Sequence, residues 1–433
     1  MSGASYVGDT FVIPSDGSYI LYVPSKGKIT RLSQFPEKNS DLFVHLQSLG
    51  FFGDLPEALK KDNVDGWKGF RSLTLLMTRR CNLACIYCYA AAKADGRSMS
   101  PKLALRALDW FAGQFTGDTI RVSFHGGGEP TLEFELMQQV VAQARKIALK
   151  SGKKTHFEVV TNGTANLKIF DWLMDNDIRI SISADGPPRI QDRNRPFQNG
   201  HGSSVVVERT ISYLVGKKYP FTIRLTYSPV DEIEDIVRYF GNLGVKSLHL
   251  EPLFPHGRKY DEVAFGKESG DKVYSPQGNE LVGIFLRAMD IAREYDMRIN
   301  NSHLGHLAKG MGYFCGSASG RAMIVTDDGF ISGCLEVVDA QDPDFETFHL
   351  GSFSEDSEEF IVDKTVLAKF QNRHSDQMVS CRNCFARYVC SGGCAVKAVR
   401  ASKEFMDRDR PYCVFTKTLV PEIIKRIADL SGV

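Results

Sequence analysis

The sequence predicts an α/β protein: a partial, open (β/α)6 barrel followed by a cysteine-rich region. Three observations carry that prediction. Between residues 71 and about 300, six apolar runs of strand length recur, each followed by a stretch with apolar residues at three- and four-residue spacing. Six such units fall short of the eight that close a barrel, so the sheet should stay open, with ligands at the carboxyl ends of its strands. After residue 301 the alternation stops, and all but three of the ten cysteines follow.

The chain divides into residues 1–70, 71–300 and 301–433. In the first part, Tyr19 to Leu32 reads as a hairpin turning at Pro24, Ser25, Lys26 and Gly27, and Asp41 to Leu49 as a helix. The barrel strands are expected at Ser72 to Met77, Thr119 to Phe124, His156 to Val160, Ile178 to Ser183, Thr222 to Tyr227 and Ser247 to Leu253. Leu136, Val140, Val141 and Ala144 form one helical stripe, and Ile233, Ile236, Val237 and Phe240 another. Residues 256–279, rich in Gly, Lys, Asp and Ser, read as an excursion before a helix starting near Asn279.

Charge narrows the partners. With 53 basic against 52 acidic side chains, nothing in the bulk charge favours a nucleic-acid backbone or an anionic membrane surface. The start lacks a signal-peptide pattern, and no segment nears the roughly 20 apolar residues of a membrane span. The expected location is the cytoplasm, where thiols stay reduced and clustered cysteines usually bind metal.

Cys81-Asn-Leu-Ala-Cys85-Ile-Tyr-Cys88 puts three thiols in eight residues, shortly after the first strand. Three thiolates can hold three irons of a cubane cluster and leave the fourth open to chelate a ligand. A closed zinc site would want a fourth ligand, which the neighbouring sequence does not supply. Beyond the second strand, Gly127-Gly128-Glu129-Pro130 offers a turn that a ligand can approach closely, with a carboxylate suited to a positive charge.

The C-x3-C-x2-C arrangement, with Tyr87 before its third cysteine, resembles the radical S-adenosylmethionine (SAM) enzymes, and Gly127 to Pro130 resembles their GGEP motif. The resemblance implies a [4Fe–4S] cluster on Cys81, Cys85 and Cys88 whose open iron binds SAM. It implies cleavage of SAM to a 5'-deoxyadenosyl radical that abstracts a substrate hydrogen. Ser183 and Arg195 match the pair that contacts SAM ribose and carboxylate in the peptide-modifying branch. Asn162 and Leu248 are weaker matches. Turn capping would equally explain Asn162 and Ser183, a solvated cation Arg195, and core packing Leu248. Arg224 faces the barrel interior or forms a structural ion pair.

The other cysteines read Cys315-x13-Gly329-x4-Cys334, Cys381-x2-Cys384-x5-Cys390-x3-Cys394 and Cys413. Two C-x2-C-like steps alone would suit a zinc ribbon. The full order resembles the SPASM extension of radical SAM enzymes, which carries auxiliary iron–sulphur clusters. By that resemblance Cys381, Cys384, Cys390 and Cys413 hold one [4Fe–4S] cluster, and Cys315, Cys334 and Cys394 hold another. Some relatives have an additional cysteine where Gly316 to Asp328 has none. The second cluster then has an open iron, a non-cysteine ligand or a substrate-derived ligand, or it is smaller.

Enzymes with this extension mostly modify peptides or proteins. The expected substrate is a ribosomally made precursor peptide, oxidised for example by crosslinking, with a flavodoxin or ferredoxin as reductant. Residues 1–70 resemble small leader-peptide recognition modules, or simply cap the barrel. An anaerobic sulfatase maturase, which forms formylglycine, is the alternative enzyme. Those enzymes place an acidic residue directly after the cysteine matching Cys334, whereas Leu335 stands here and Glu336 comes next, as a proton acceptor or a solvated carboxylate. Asp327 and Asp328 read as turn formers. Small-molecule dehydrogenation is a further possibility. A non-catalytic iron–sulphur electron carrier would leave the GGEP motif, Ser183 and Arg195 without a role.

Overall fold

The computed structural model describes residues 5–54, 69–227, 232–252, 278–302, 307 and 311–431. Six parallel strands, β5 (Ser72–Leu75), β6 (Thr119–Phe124), β7 (Lys154–Thr161), β8 (Ile178–Ser183), β9 (Phe221–Tyr227) and β10 (Ser247–Pro252), pair in strict chain order. A short parallel strand, β11 (Arg298–Asn300), extends the series beyond β10. Among the described residues β11 and β5 do not pair, so the barrel is partial and open. Leu253, and residues 256–277 of the expected excursion, lie outside the described residues.

Burial explains the register. On β8, Ile178, Ile180 and Ile182 are fully buried while Arg179, Ser181 and Ser183 keep exposure, the two-residue period of a strand with unlike faces. The intervening helices present the expected stripes: Leu136, Val140, Val141 and Ala144 on Phe134–Ser151, and Ile233, Ile236, Val237 and Phe240 on Ile233–Asn242, are all buried. Local signals set the helix ends. Ser100 caps Pro101–Gln114 by accepting from Leu103 N at 3.2 Å, and Gly152 ends Phe134–Ser151 in the left-handed region.

The boundary expected near residue 301 does not interrupt the sheet. Strand β12 (Ala322–Val325) pairs in parallel with the open edge of β5, and β13 (Phe330–Ser332), β14 (His349–Ser354) and β15 (Glu359–Val362) continue antiparallel, making an 11-stranded sheet. All four residues of β12 are buried, as a strand covered on both faces requires. The turn after β12 also grips the barrel. Arg79 donates from Nε and Nη2 to Asp327 at 3.1 and 2.9 Å and from Nη1 to Asp339 at 2.7 Å, and Arg97 joins Asp327 at 2.9 Å. Asp327 and Asp328, expected only to form a turn, are thus docking residues.

The first 54 residues hold a four-stranded antiparallel sheet, β1 (Ser5–Val7), β2 (Thr10–Ser15), β3 (Ser18–Val23) and β4 (Lys28–Leu32), then the helix Asp41–Ser48. The expected hairpin is β3–β4; β1 and β2 are additional. Val12, Leu21 and Val23 pack with Phe43, Leu46, Phe51 and Phe52 on one side. Phe11, Ile13, Ile20 and Tyr22 join the main core. Phe11 stacks on Phe385 at 4.1 Å, Arg31 pairs with Asp429, and β3 and β4 lie against the helix Arg410–Ser431. The segment is therefore seated on the C-terminal region, where a cap over the barrel was one expectation. Among the described residues no helix is long and apolar enough to cross a membrane.

Candidate active site

The cysteine loop leaves the sheet just after β5 and is held from two sides. On one side lies the glycine turn that follows β6. Gly128 N donates to Thr78 O at 2.6 Å, and Glu129 N to Arg80 O at 2.8 Å, immediately before Cys81. A Cβ on Gly128 would lie 1.9 Å from the Arg80 carbonyl oxygen, and Gly127 combines a φ of +69° with a 2.6 Å approach to Thr78 O. Only glycine fits either position. On the other side, Ala84 N donates to Pro196 O and Ile86 N to Asn194 O, bracketing Arg195.

Glu129 is 3% exposed and committed to the protein itself. Its Oε1 accepts from Thr131 N (3.1 Å), Thr131 Oγ1 (2.6 Å) and Thr161 Oγ1 (2.7 Å), and Oε2 accepts from Asn162 N at 2.6 Å. The carboxylate therefore ties the glycine turn to the end of β7. Pro130 is buried and opens the short turn Pro130–Glu133. Asn162 accepts from Thr164, donates from Nδ2 to Asn82 Oδ1 at 2.8 Å, and brings the same nitrogen to 3.9 Å from Cys81 Sγ.

Arg195 is 8% exposed, which removes the solvated-cation reading. Its Nε lies 3.0 Å from Asp185 Oδ1, and its guanidinium stands 5.3 Å over the Tyr87 ring. Tyr87 donates its hydroxyl to the other oxygen of Asp185, which also accepts from Asn194 Nδ2 at 3.2 Å. Asp185 is fully buried and absent from the sequence-based site; its only local signal was its position just past the end of β8. Ser183 closes β8, half-buried and in register with Arg224. Leu248 is fully buried on β10 within the core.

Between the cysteine loop and the C-terminal strands, Cys88, Tyr89 and Leu335 pack on one small cluster of Leu76, Ala90, Ala322, Ile324 and Val338. Burial first, then the charges of Cys88, Glu336 and Cys334, push the Tyr89 hydroxyl above its ordinary range. Burial, assisted by Arg224, pushes His125 down to about 3, so it is neutral at pH 7, and among the described residues its Nδ1 has no hydrogen-bond partner. Glu336 accepts from Arg400 Nη1 at 2.8 Å, and Arg400 also binds Asp344 at 2.6 Å. The proton-acceptor candidate is thus held in an ion pair.

The C-terminal thiols gather as two sets. Beyond its burial, Cys334 is acted on by Cys394 and Cys315. Cys390 is likewise acted on by Cys413, Cys381 and Cys384. These last four thiols line one recess together with Arg387, Arg408 and Lys417. Among the described residues no three Cys, His, Asp or Glu side chains converge tightly enough for a single metal ion. Thiols set around a recess bordered by cations fit an anionic polynuclear cluster better than a mononuclear site. Burial raises Cys81 to about 12 and Cys85 to about 11, so loading metal there must displace protons.

A family model described as the radical SAM superfamily matches residues 75–243, the span from the first barrel strand to the helix after the fifth. The chain belongs to the radical SAM superfamily. It is an enzyme, and its fold is that of radical SAM enzymes with a SPASM-type C-terminal region. It is 25% identical over 382 residues to a cysteine-type anaerobic sulfatase-maturating enzyme of Clostridium perfringens, covering 81% of this chain and 95% of that protein. The solved structure of native anSMEcpe with bound AdoMet and Cp18Cys peptide superposes with a TM-score of 0.66 at 18% identity, covering 84% of this chain and 99% of that one. Streptococcus suis SuiB bound to precursor peptide SuiA gives 0.54 at 14% identity, covering 94% and 99%.

Proposed function

We propose that this enzyme is a peptide maturase that abstracts hydrogen from a ribosomally made precursor peptide and leaves an oxidative modification such as a crosslink. The observation that carries the reading is the shared packing of Cys88, Tyr89 and Leu335: a substrate at the carboxyl ends of the barrel strands is bounded by both the first cysteine set and the Cys334 loop. The peptides bound to anSMEcpe and to SuiB support a peptide as the substrate class.

In this reading Cys81, Cys85 and Cys88 hold the SAM-binding cluster. Tyr87, Gly127 to Pro130, Asn162, Ser183, Arg195 and Leu248 surround SAM. The glycine backbone and Arg195 make direct contacts, while Glu129 and Asp185 hold those groups in position. Cys381, Cys384, Cys390 and Cys413 hold one auxiliary cluster, and Cys315, Cys334 and Cys394 the other. When bound, SAM and its cluster supply the hydrogen-abstracting radical, and the auxiliary clusters supply a path for the electrons of the oxidation. The protein's own work is orientation and exclusion of water. Tyr87 and Arg195 share Asp185, which fixes both against the cysteine loop, and neutral His125 and Tyr89 border the substrate space without adding charge. A flavodoxin or ferredoxin is the proposed reductant.

Similarity to the sulfatase-maturating enzyme favours formylglycine formation as a second reading. Leu335 after Cys334 and the Glu336–Arg400 ion pair count against it. Anaerobic reconstitution, dithionite and SAM should release 5'-deoxyadenosine; none, with clusters intact, refutes radical chemistry. Mass spectrometry after incubation with a precursor peptide encoded beside the gene, and separately with a sulfatase peptide, then divides the two readings. Loss of hydrogens from the former supports a precursor-peptide maturase. Formylglycine in the latter, with the former untouched, transfers the assignment.

A further inference from the structure

Among the described residues Arg373 has the largest of the completely buried side chains. It follows the helix Lys364–Asn372, and its guanidinium reaches three separate loop carbonyls: Nε to Phe405 O at 2.8 Å, Nη1 to Gly393 O at 3.1 Å and Nη2 to Asp407 O at 2.9 Å. Carbonyls accept one bond from each of its three nitrogens and leave its charge. Among the described residues no carboxylate forms an ion pair with it, whereas the other well-buried guanidiniums, Arg195 and Arg400, each have at least one. An ionised side chain out of water costs several kcal/mol unless an anion compensates it.

Burial works against the charge of Arg373, and the ionisable groups whose negative forms would offset it come from both auxiliary cysteine sets: Cys394 and Cys315 from one, Cys381 from the other, and then Asp409. Asp409 is itself buried, 1% exposed, and among the described residues its Oδ2 has no hydrogen-bond partner. The Gly393 carbonyl that Arg373 holds belongs to the residue just before Cys394.

We propose that Arg373 is a fixed cation shared by the two auxiliary clusters, compensating their negative charge and raising their reduction potentials. This rests on the reading that both cysteine sets carry clusters. Reduction adds one electron to an already anionic centre, so a nearby fixed cation favours the reduced form. Arg373 acts through the clusters and is a positioning and charge-tuning residue, not a catalytic one.

The test is a redox titration of the reconstituted full chain, followed by EPR, with iron and sulphide analysis, for the parent, R373K and R373Q. In R373Q the auxiliary midpoints should fall by at least tenfold in the reduction equilibrium, equivalent to 59 mV for one electron. R373K, which keeps the charge and loses the planar fork, should stay within about threefold of the parent, well inside that step. Unchanged midpoints in a loaded R373Q overturn the proposal. If R373Q fails to assemble the auxiliary clusters, assembly in R373K supports a requirement for charge. Failure of both variants shows that shape alone matters and overturns it. A parent with about four irons in place of about twelve overturns the auxiliary-cluster reading, and this proposal with it. A parent with about twelve irons isolates the role of Arg373.

Discussion

Replacing Glu129 with Gln asks whether its carboxylate serves the scaffold or the ligand. The side chain is near-isosteric, so packing is preserved and only hydrogen bonding changes. The carboxylate accepts two backbone N–H groups, Thr131 N on Oε1 and Asn162 N on Oε2. An amide has one acceptor oxygen, so in either orientation one of these buried N–H groups faces an NH2. The hydroxyls of Thr131 and Thr161 can rotate to accept from that NH2. One unsatisfied N–H costs about 1–3 kcal/mol, and the remaining bonds lose their charge assistance. Relief of the buried charge offsets part of this. The net expectation is a loss of about 2–3 kcal/mol in the metal-free, SAM-free protein. Denaturant titration measures it as a lower midpoint with an unchanged slope. A parental midpoint combined with abolished SAM binding in equilibrium dialysis would refute the scaffold role and return Glu129 to direct ligand contact.

Asp327→Asn removes the carboxylate that Arg79 and Arg97 share; because Arg79 keeps Asp339, we expect a loss of about 2–4 kcal/mol in thermal or denaturant unfolding, and no loss would mean that the docking network is idle. Glu336→Gln leaves Arg400 bound to Asp344 and should change stability by less than about 1 kcal/mol and product formation by less than about tenfold. A much larger loss of product with 5'-deoxyadenosine release intact would make Glu336 the proton acceptor. His125, pushed down to about 3 by burial and Arg224, takes up a proton in the unfolded chain near pH 6.5 but resists it when folded. Its stabilising effect is full above pH 6.5 and is lost as the pH falls from there towards 3. His125→Asn should therefore flatten the decline in denaturation midpoint between pH 7 and pH 4, and parallel profiles would count against a buried neutral imidazole.

Much of the barrel could be read from the chain because its signals are local. The Ile178, Ile180 and Ile182 alternation and the Ile233–Phe240 stripe each lie within one element and ask nothing of distant residues. The cysteine spacing and the glycine turn were legible for the same reason. What escaped the reading depends on pairing between distant segments. Asp185 offered only its place past the end of β8 until Arg195 and Tyr87 closed on it, and Asp327 and Asp328 read as turn formers until Arg79 and Arg97 reached them. The boundary at residue 301 stands where the βα alternation stops, yet a parallel strand on the open edge of β5, followed by antiparallel ones, can continue the sheet without any change in the strands before it. Arg373 gave no sequence signal at all, since burial of a cation is decided wholly by tertiary packing.

The pairing of β12 with β5 also bears on the order of events at the ribosome. Arg79 and Asp327, which seal that junction, are 248 positions apart. While the barrel emerges, the strand that leads into the first three thiols keeps one hydrogen-bonding edge bare, and its guanidinium has not met its carboxylates. Contacts of such long sequence separation form late and slowly, and a bare strand edge invites mispairing. On the proposed assignment of a cluster to Cys81, Cys85 and Cys88, delivery of iron and sulphide is thereby expected to follow docking of β12, so that truncated chains ending before residue 322 load less metal there.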